Sequence, residues 1–229
     1  MAASQYLAFP APPSPGDGDN LAECTGFAVI AGQEKKRQIM AGARDVFLGS
    51  GFEGASMGEI ARVAGVSKGT LYVHFGSKQE LFAALVGTEC AQTAERCFEL
   101  DDEADVREAL TGAGFLYVAA MIRPEHVAAV RMVIGVAEKF PEVGRAFLSA
   151  GPEAGVARLS RWLRVKIERG KHDIADVALA AWQFLIGCHA LVVMPLLFGG
   201  VPSQEDHTVE RVVLHTVDSF LRAFGAEAG

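Results

Sequence analysis

From Gln33 the chain settles into a helical rhythm. Ile39, Met40, Ala43, Val46 and Phe47 recur on one face of a 3.6-residue period, with Lys35, Lys36, Arg37 and Arg44 between them, and Gly49-Ser50-Gly51 supplies a stop. This predicts a first amphipathic helix. A second is announced by a capping box, in which Ser56 accepts from the Glu59 N–H and the Glu59 carboxylate reaches back to Ser56. Ile60, Ala61 and Ala64 form its inner face, and Gly65 is a left-handed terminator with Val66 buried in the turn. Ser67 caps a third helix, Lys68 to about His74. Another box, Ser77 to Glu80, starts a fourth that runs on through Leu81, Phe82 and Leu85. Two short helices joined at Gly65 make a helix-turn-helix.

Beyond Cys97 the pattern stays helical, with breaks near Asp101-Asp102, at Arg123-Pro124, Phe140-Pro141 and Gly151-Pro152, over Gly170 to Asp173, and over Gly199 to Pro202. Val209, Val212, Val213, Val217, Phe220, Leu221 and Phe224 set an apolar stripe on the last helix. No βαβ alternation, phosphate-loop pattern or repeat is present. The fold class is all-α. Three parts follow: a flexible arm over residues 1–32, rich in Pro, Gly and Ala, a small helical head over 33–80, and a larger helical body over 81–229.

Composition narrows the function. Half of the 229 residues are apolar, enough for a substantial core. The apolar run from Trp182 to Phe198 is interrupted by Gln183 and His189 and carries Pro195, so it reads as a buried helix rather than a membrane span. The first residues lack a basic n-region and contain Pro10, Pro12, Pro13 and Pro15, which argues against an export signal and for the cytoplasm. Four cysteines show no CxxC or metal spacing, and the six histidines form no cluster, so neither metal nor cofactor is implied. Cys90 and Cys97 are seven apart and can share a helix face, which leaves packing or a redox sensor open. The net charge of −7 is unevenly spread: −3 over residues 1–32, +2 over 33–80 and −6 beyond. A basic segment on an acidic body suits a protein of which one part meets DNA.

The stretch Gly65 to Leu81, GVSKGTLYVHFGSKQEL, concentrates this chemistry. Leu71 and Phe75 are four apart and point inward, against Ile60 and Ala64. The rest then faces out. Lys68 and Thr70 lie in the first turn, where free N–H groups favour anions, and Gly69 leaves room for close approach to a base pair. Tyr72 and His74 offer hydrogen-bond donors, and Lys78 adds a point charge for a phosphate. Taken singly, Tyr72 is equally a core aromatic with a wet hydroxyl and His74 a C-terminal cap; their combination at this spacing favours DNA.

The segment Gly51 to Leu85 closely resembles the DNA-binding head of the TetR family of transcriptional regulators (AcrR-like), and VSKGTLYVHFGSK is highly specific to it. With the first helix the resemblance covers about fifty residues. It implies DNA contacts at Ser56, Ser67, Lys68, Gly69, Thr70, Tyr72, Val73, His74 and Lys78. Val73 would lie near base edges and Ser56 near a phosphate. Gly58 departs from the pattern, since some relatives place a long polar side chain there that reaches the DNA. The run EKFPEVGRAFLSAGPE, Glu138 to Glu153, also resembles a connection in one group of the family's ligand-binding domains. The resemblance therefore implies a helix-turn-helix DNA-binding domain followed by a helical ligand-binding and dimerisation domain. In it, helices around 174–198 and 205–224 pair with their copies in a second chain.

The homodimer that the resemblance implies matters physically, because one short helix reads too few base pairs for specificity. Two related by a two-fold axis read a palindromic operator in double-stranded DNA, in major grooves about 34–36 Å apart. Phe115, Tyr117, Met121, Trp182 and His189 are candidate contacts for a small apolar or amphipathic effector, although ordinary core packing accounts for the same spacing. An enzyme would need a nucleophile and base, a metal set or a cofactor motif, and no GxSxG, HExxH or phosphate loop occurs. A helical binding protein that had lost DNA recognition would show a damaged recognition helix; this one is intact. The expected function is a ligand-responsive repressor.

Overall fold

The computed structural model of the protein describes residues 20–170, 173–200 and 208–225, and for residues 20–30 and 190 it describes the backbone alone. Ten α-helices and no strand occur among the described residues. They are α1 Asn20–Gly54, α2 Met57–Val63, α3 Lys68–His74, α4 Lys78–Cys97, α5 Val106–Met121, α6 Pro124–Ala137, α7 Pro141–Ala150, α8 Pro152–Glu168, α9 Val177–Leu197 and α10 Thr208–Phe224. The chain divides into a short unit, residues 1–38, and a main unit, residues 39–229.

In the short unit the described residues are helical from Asn20 onward, which differs from the flexible arm expected over residues 1–32 for residues 20–32; residues 1–19 lie outside the described residues. The prolines that argued for an arm end at Pro15, and nothing between Leu21 and Ile30 forbids a helix. Within this unit Lys35 Nζ donates to Gln38 Oε1 at 3.1 Å and Arg37 pairs with Glu34 at 2.8 Å.

In the main unit the expected stop of α1 is visible at Gly51, whose φ of 68° and ψ of 175° interrupt the helix before one more turn. α2 packs across α1 with almost nothing between them. A Cβ at Gly42 would lie 2.7 Å from the Ala64 nitrogen, so only glycine permits this crossing. Gly65 ends α2 at φ 65°, and the Val66 N–H donates to the Ala61 carbonyl at 3.0 Å, the six-residue bond that closes a left-handed helix terminus. Val66 is half-buried in that turn.

The expected boundary at residue 80 falls in the first turn of α4, and head and body share a core there. Phe82 lies 4.8 Å from Phe47 and 5.2 Å from Phe52, and Phe52 reaches Phe140, just ahead of α7, at 5.6 Å. Val133, Val136 and Val143 complete this cluster. A second core fills the body, built from Leu110 and Val118 of α5, Leu159 and Trp162 of α8, Phe184 and Cys188 of α9, and Val213, Val217 and Phe220 of α10. The breaks expected at Pro124, Pro141 and Pro152 are where α6, α7 and α8 begin, each with proline in its first turn, where its missing N–H costs nothing.

One buried charge is absent from any pattern. Lys166 is fully buried, with Nζ donating to the carbonyls of Asp102 and Ala104 at 2.7 and 2.6 Å and lying 4.8 Å over the Trp162 ring. Trp162 Nε1 donates to the Asp101 carbonyl at 2.8 Å. α8 thus holds the acidic connection between α4 and α5 through its carbonyls. Among the described residues no single helix is long and apolar enough to cross a membrane, and no group of His, Cys, Asp and Glu could hold a metal ion.

Candidate nucleic-acid interface and effector cavity

The head is arranged to present α3. Ser67 caps it, with Oγ accepting from the Thr70 N–H at 3.0 Å and lying 2.8 Å from the Thr70 hydroxyl. Leu71 and Phe75 are buried against Ile60 and Ala61, burial worth about 2 kcal/mol for each large side chain. The opposite face is left bare: Tyr72 is 52% and Val73 84% exposed, beside exposed Lys68 and Gly69 and half-exposed Thr70 and His74. A valine exposed to that degree adds nothing to the fold.

Ser56 caps α2 by accepting from the Glu59 N–H at 3.1 Å, but the reciprocal half of the expected box is not made. Glu59 turns instead to Arg62, at 2.7 and 3.0 Å, and that guanidinium holds its carboxyl below the usual range. Ser77 caps α4 in the same one-sided way, while Glu80 accepts from the Gly76 N–H at 2.9 Å. The glycine at 58 acquires a reason. A Cβ there would sit 3.1 Å from Lys68 Cε and 3.3 Å from its Nζ, so the missing side chain leaves the space over which the Lys68 stem lies.

Lys78 is held inside the head. Its Nζ donates to the carbonyls of Phe52, Ala55 and Glu53 at 2.6, 3.0 and 3.4 Å and lies 4.5 Å over the Phe52 ring. All three ammonium protons have acceptors at the end of α1. The sequence offered no sign of this, because the partners lie more than twenty residues away.

In the body, two adjoining chambers form a cavity. The inner one, about 80 Å³, is lined by Phe98, Tyr117, Met121, Phe147, Leu185, His189 and Val193 among others. The Tyr117 hydroxyl and His189 Nε2 are 2.8 Å apart, with the rings stacked at 5.2 Å. The outer one, about 250 Å³, is lined by Arg44, Glu89, Arg96, Arg123 and Glu125 together with apolar residues of α1, α4 and α6. Cys90, Thr93, His126, Val130 and Phe147 line both. Of the five sequence candidates, Tyr117, Met121 and His189 line the inner chamber, whereas Phe115 and Trp182 are partly buried against the second core. His126, at the junction, went unnoticed in the sequence; the Pro124 helix start two residues before it was its only local signal. Burial, followed by His189 and Arg123, pushes its imidazole down to about 4, so it is neutral at pH 7. Burial also pushes the Cys90 thiol up to about 12 and Cys97 up to about 11, which favours packing over redox sensing.

α9 has two apolar faces. One turns Leu185, His189, Val193 and Leu197 to the inner chamber. The other leaves Leu179, Ile186, Leu191 and Met194 about half exposed, beside a groove with α10 lined by Gln183, Gly187, His215 and Ser219.

A capped helix-turn-helix with a bare outer face, set on a helical body that encloses a cavity, defines a DNA-binding transcriptional regulator. Residues 39–85 match the family model for bacterial regulatory proteins of the tetR family, and residues 108–226 match the C-terminal domain of AefR-like transcriptional repressors. The chain belongs to the TetR family. The transcriptional repressor AcnR of Corynebacterium glutamicum is 37% identical over 72 residues, 30% of this chain and 38% of that protein. The chain therefore spans little more than a third of the length of such curated relatives. Among solved structures, a putative TetR-family regulator from Mesorhizobium loti superposes with a TM-score of 0.76 at 28% identity, covering 85% of this chain and 98% of that one. The flavonoid-responsive regulator FrrA gives a TM-score of 0.73 at 31% identity, covering 86% of this chain and all of that one, 100%.

Proposed function

We propose that this chain is a cytoplasmic repressor that binds a palindromic operator as a homodimer and is released by a small apolar or amphipathic molecule. The outer face of α3 carries the DNA-binding half of this reading. Lys68, Gly69, Tyr72 and Val73 are exposed on a helix whose opposite side is anchored by Leu71 and Phe75, with the half-exposed Thr70 beside them. Ser56 and Ser67 place two helix N-termini near the backbone phosphates. Lys78 acts here as a positioning residue that fixes α4 to the end of α1.

The exposed apolar face of α9 supports the homodimer. A two-fold axis there would bury Leu179, Ile186 and Met194 and close the α9–α10 groove into a four-helix interface. Release follows from the route between cavity and head. α4 begins at the Lys78 clamp, lines both chambers with Cys90 and Thr93, and is tied to α1 by Glu89, which accepts from Arg44 at 2.7 Å. A ligand that favours a different placement of α4 shifts the population of head separations away from the groove spacing. FrrA, flavonoid-responsive by name, is a precedent for an effector with apolar rings.

A mobility-shift assay on palindromic sequences near the protein's own gene tests the reading. Specific binding at low salt is expected; failure to bind any of them would remove the repressor and leave a ligand-binding protein.

A further inference from the structure

The two chambers differ in chemistry as well as in size. In the inner one the polar atoms of Tyr117 and His189 face each other at 2.8 Å, and the remaining wall includes Phe98, Met121 and Leu185. Polar groups of a ligand would find few partners there, so this chamber suits the apolar part. The outer chamber is charged, and its charges do not balance. Arg44 is spent on Glu89 at 2.7 Å, and Arg123 lies 3.7 Å from Glu125. Arg96 makes no hydrogen bond or ion pair among the described residues, which leaves one unmatched positive charge on the wall.

We infer that the effector is a monoanionic amphiphile, a carboxylate carried on an apolar ring or chain, with its apolar part in the inner chamber and its carboxylate beside Arg96. This rests on the cavity being the effector site. A single unmatched guanidinium fits one carboxylate through paired N–H donors; a dianion would leave charge uncompensated against Glu89 and Glu125. The neutral His126 at the junction can donate one hydrogen bond to the same carboxylate.

The test compares 4-phenylbutanoate with 4-phenylbutanamide, two molecules of nearly equal shape that differ in charge, by calorimetry on the full-length protein. The acid is expected to bind about tenfold more tightly than the amide at about 50 mM salt, with the gap narrowing at about 300 mM. Arg96→Gln should reduce the gap to about threefold or less, Arg96→Lys, which keeps the charge but loses the paired donors, should retain only part of it, and Arg164→Gln, an equal loss of charge on α8, should leave it intact. Equal binding of acid and amide, an intact gap in Arg96→Gln, or no binding of either at millimolar concentration overturns the inference. An operator mobility shift with the unliganded protein runs in parallel. Operator binding without an acid preference strikes the ligand class alone, whereas an acid preference without operator binding strikes the repressor reading alone.

Discussion

Replacing Lys78 with methionine separates two roles that a lysine at this position could hold. The substitution keeps an unbranched side chain of similar length and removes the ammonium, with its donation to the carbonyls of Phe52, Ala55 and Glu53 and its place over the Phe52 ring. Two of those bonds, at 2.6 and 3.0 Å, are part-buried. A charge-assisted hydrogen bond is worth about 1.5–3 kcal/mol when it is well protected, and competition from water at this half-exposed site cuts that roughly in half. The expected loss is therefore about 2 kcal/mol of stability, or roughly 4–8 °C in Tm for a chain of this size. Urea and thermal melts at fixed protein concentration measure it, and the concentration must be held constant because dimerisation contributes to apparent stability. The salt dependence of operator binding supplies the second readout. Each neutralised phosphate adds about 0.9 to the slope of log K against log salt. Because the Lys78 ammonium is spent on carbonyls, the slope should not change. Unaltered stability together with a slope reduced by about one per subunit would refute the clamp and restore the phosphate contact expected from the sequence.

Val73→Ala and Tyr72→Ala should each weaken operator binding by about 1–3 kcal/mol, while stability stays within about 0.5 kcal/mol for the largely exposed Val73 and falls by no more than about 1 kcal/mol for the half-exposed Tyr72; paired mobility-shift and urea measurements check both. Gly42→Ala should cost about 2 kcal/mol or more, since its Cβ would meet the Ala64 backbone at 2.7 Å and push α2 off α1; a lowered urea midpoint with an unchanged m-value is the expected signature. His126 is held down to about 4 in the folded protein against 6.5 unfolded. Below pH 6.5 the unfolded chain takes up a proton that the native state refuses. Stability should thus fall as pH drops through that window, levelling near pH 4 after a loss of roughly 3 kcal/mol, and His126→Gln should flatten the curve in urea melts between pH 7 and 5.

Local signals set most helix boundaries. Ser56, Ser67 and Ser77 cap α2, α3 and α4, Gly65 closes α2, and three prolines open α6, α7 and α8. Each works through the backbone of its own few residues, which is why spacing alone reveals it. The helical character of residues 20–32 is hard to read locally, because Pro and Gly crowd the first nineteen residues and Gly26 and Gly32 interrupt the stretch that follows. The half-made capping boxes show where local reading ends. Ser56 and Ser77 accept as expected, but Glu59 and Glu80 have nearer or better-placed donors in Arg62 and Gly76.

By itself the sequence determined the all-α class, the helix-turn-helix, the inward anchors Leu71 and Phe75, and the family. All of these depend on periodicity and on contacts within a few residues. Tertiary structure decided the fate of charges whose partners are distant in the chain. It spent Lys78 on α1, buried Lys166 beneath carbonyls of the α4–α5 connection, and left Arg96 unmatched on a cavity wall. A long cationic side chain carries the same letter whether it meets water, a carbonyl or a ligand, and only the packing of helices around it distinguishes the three.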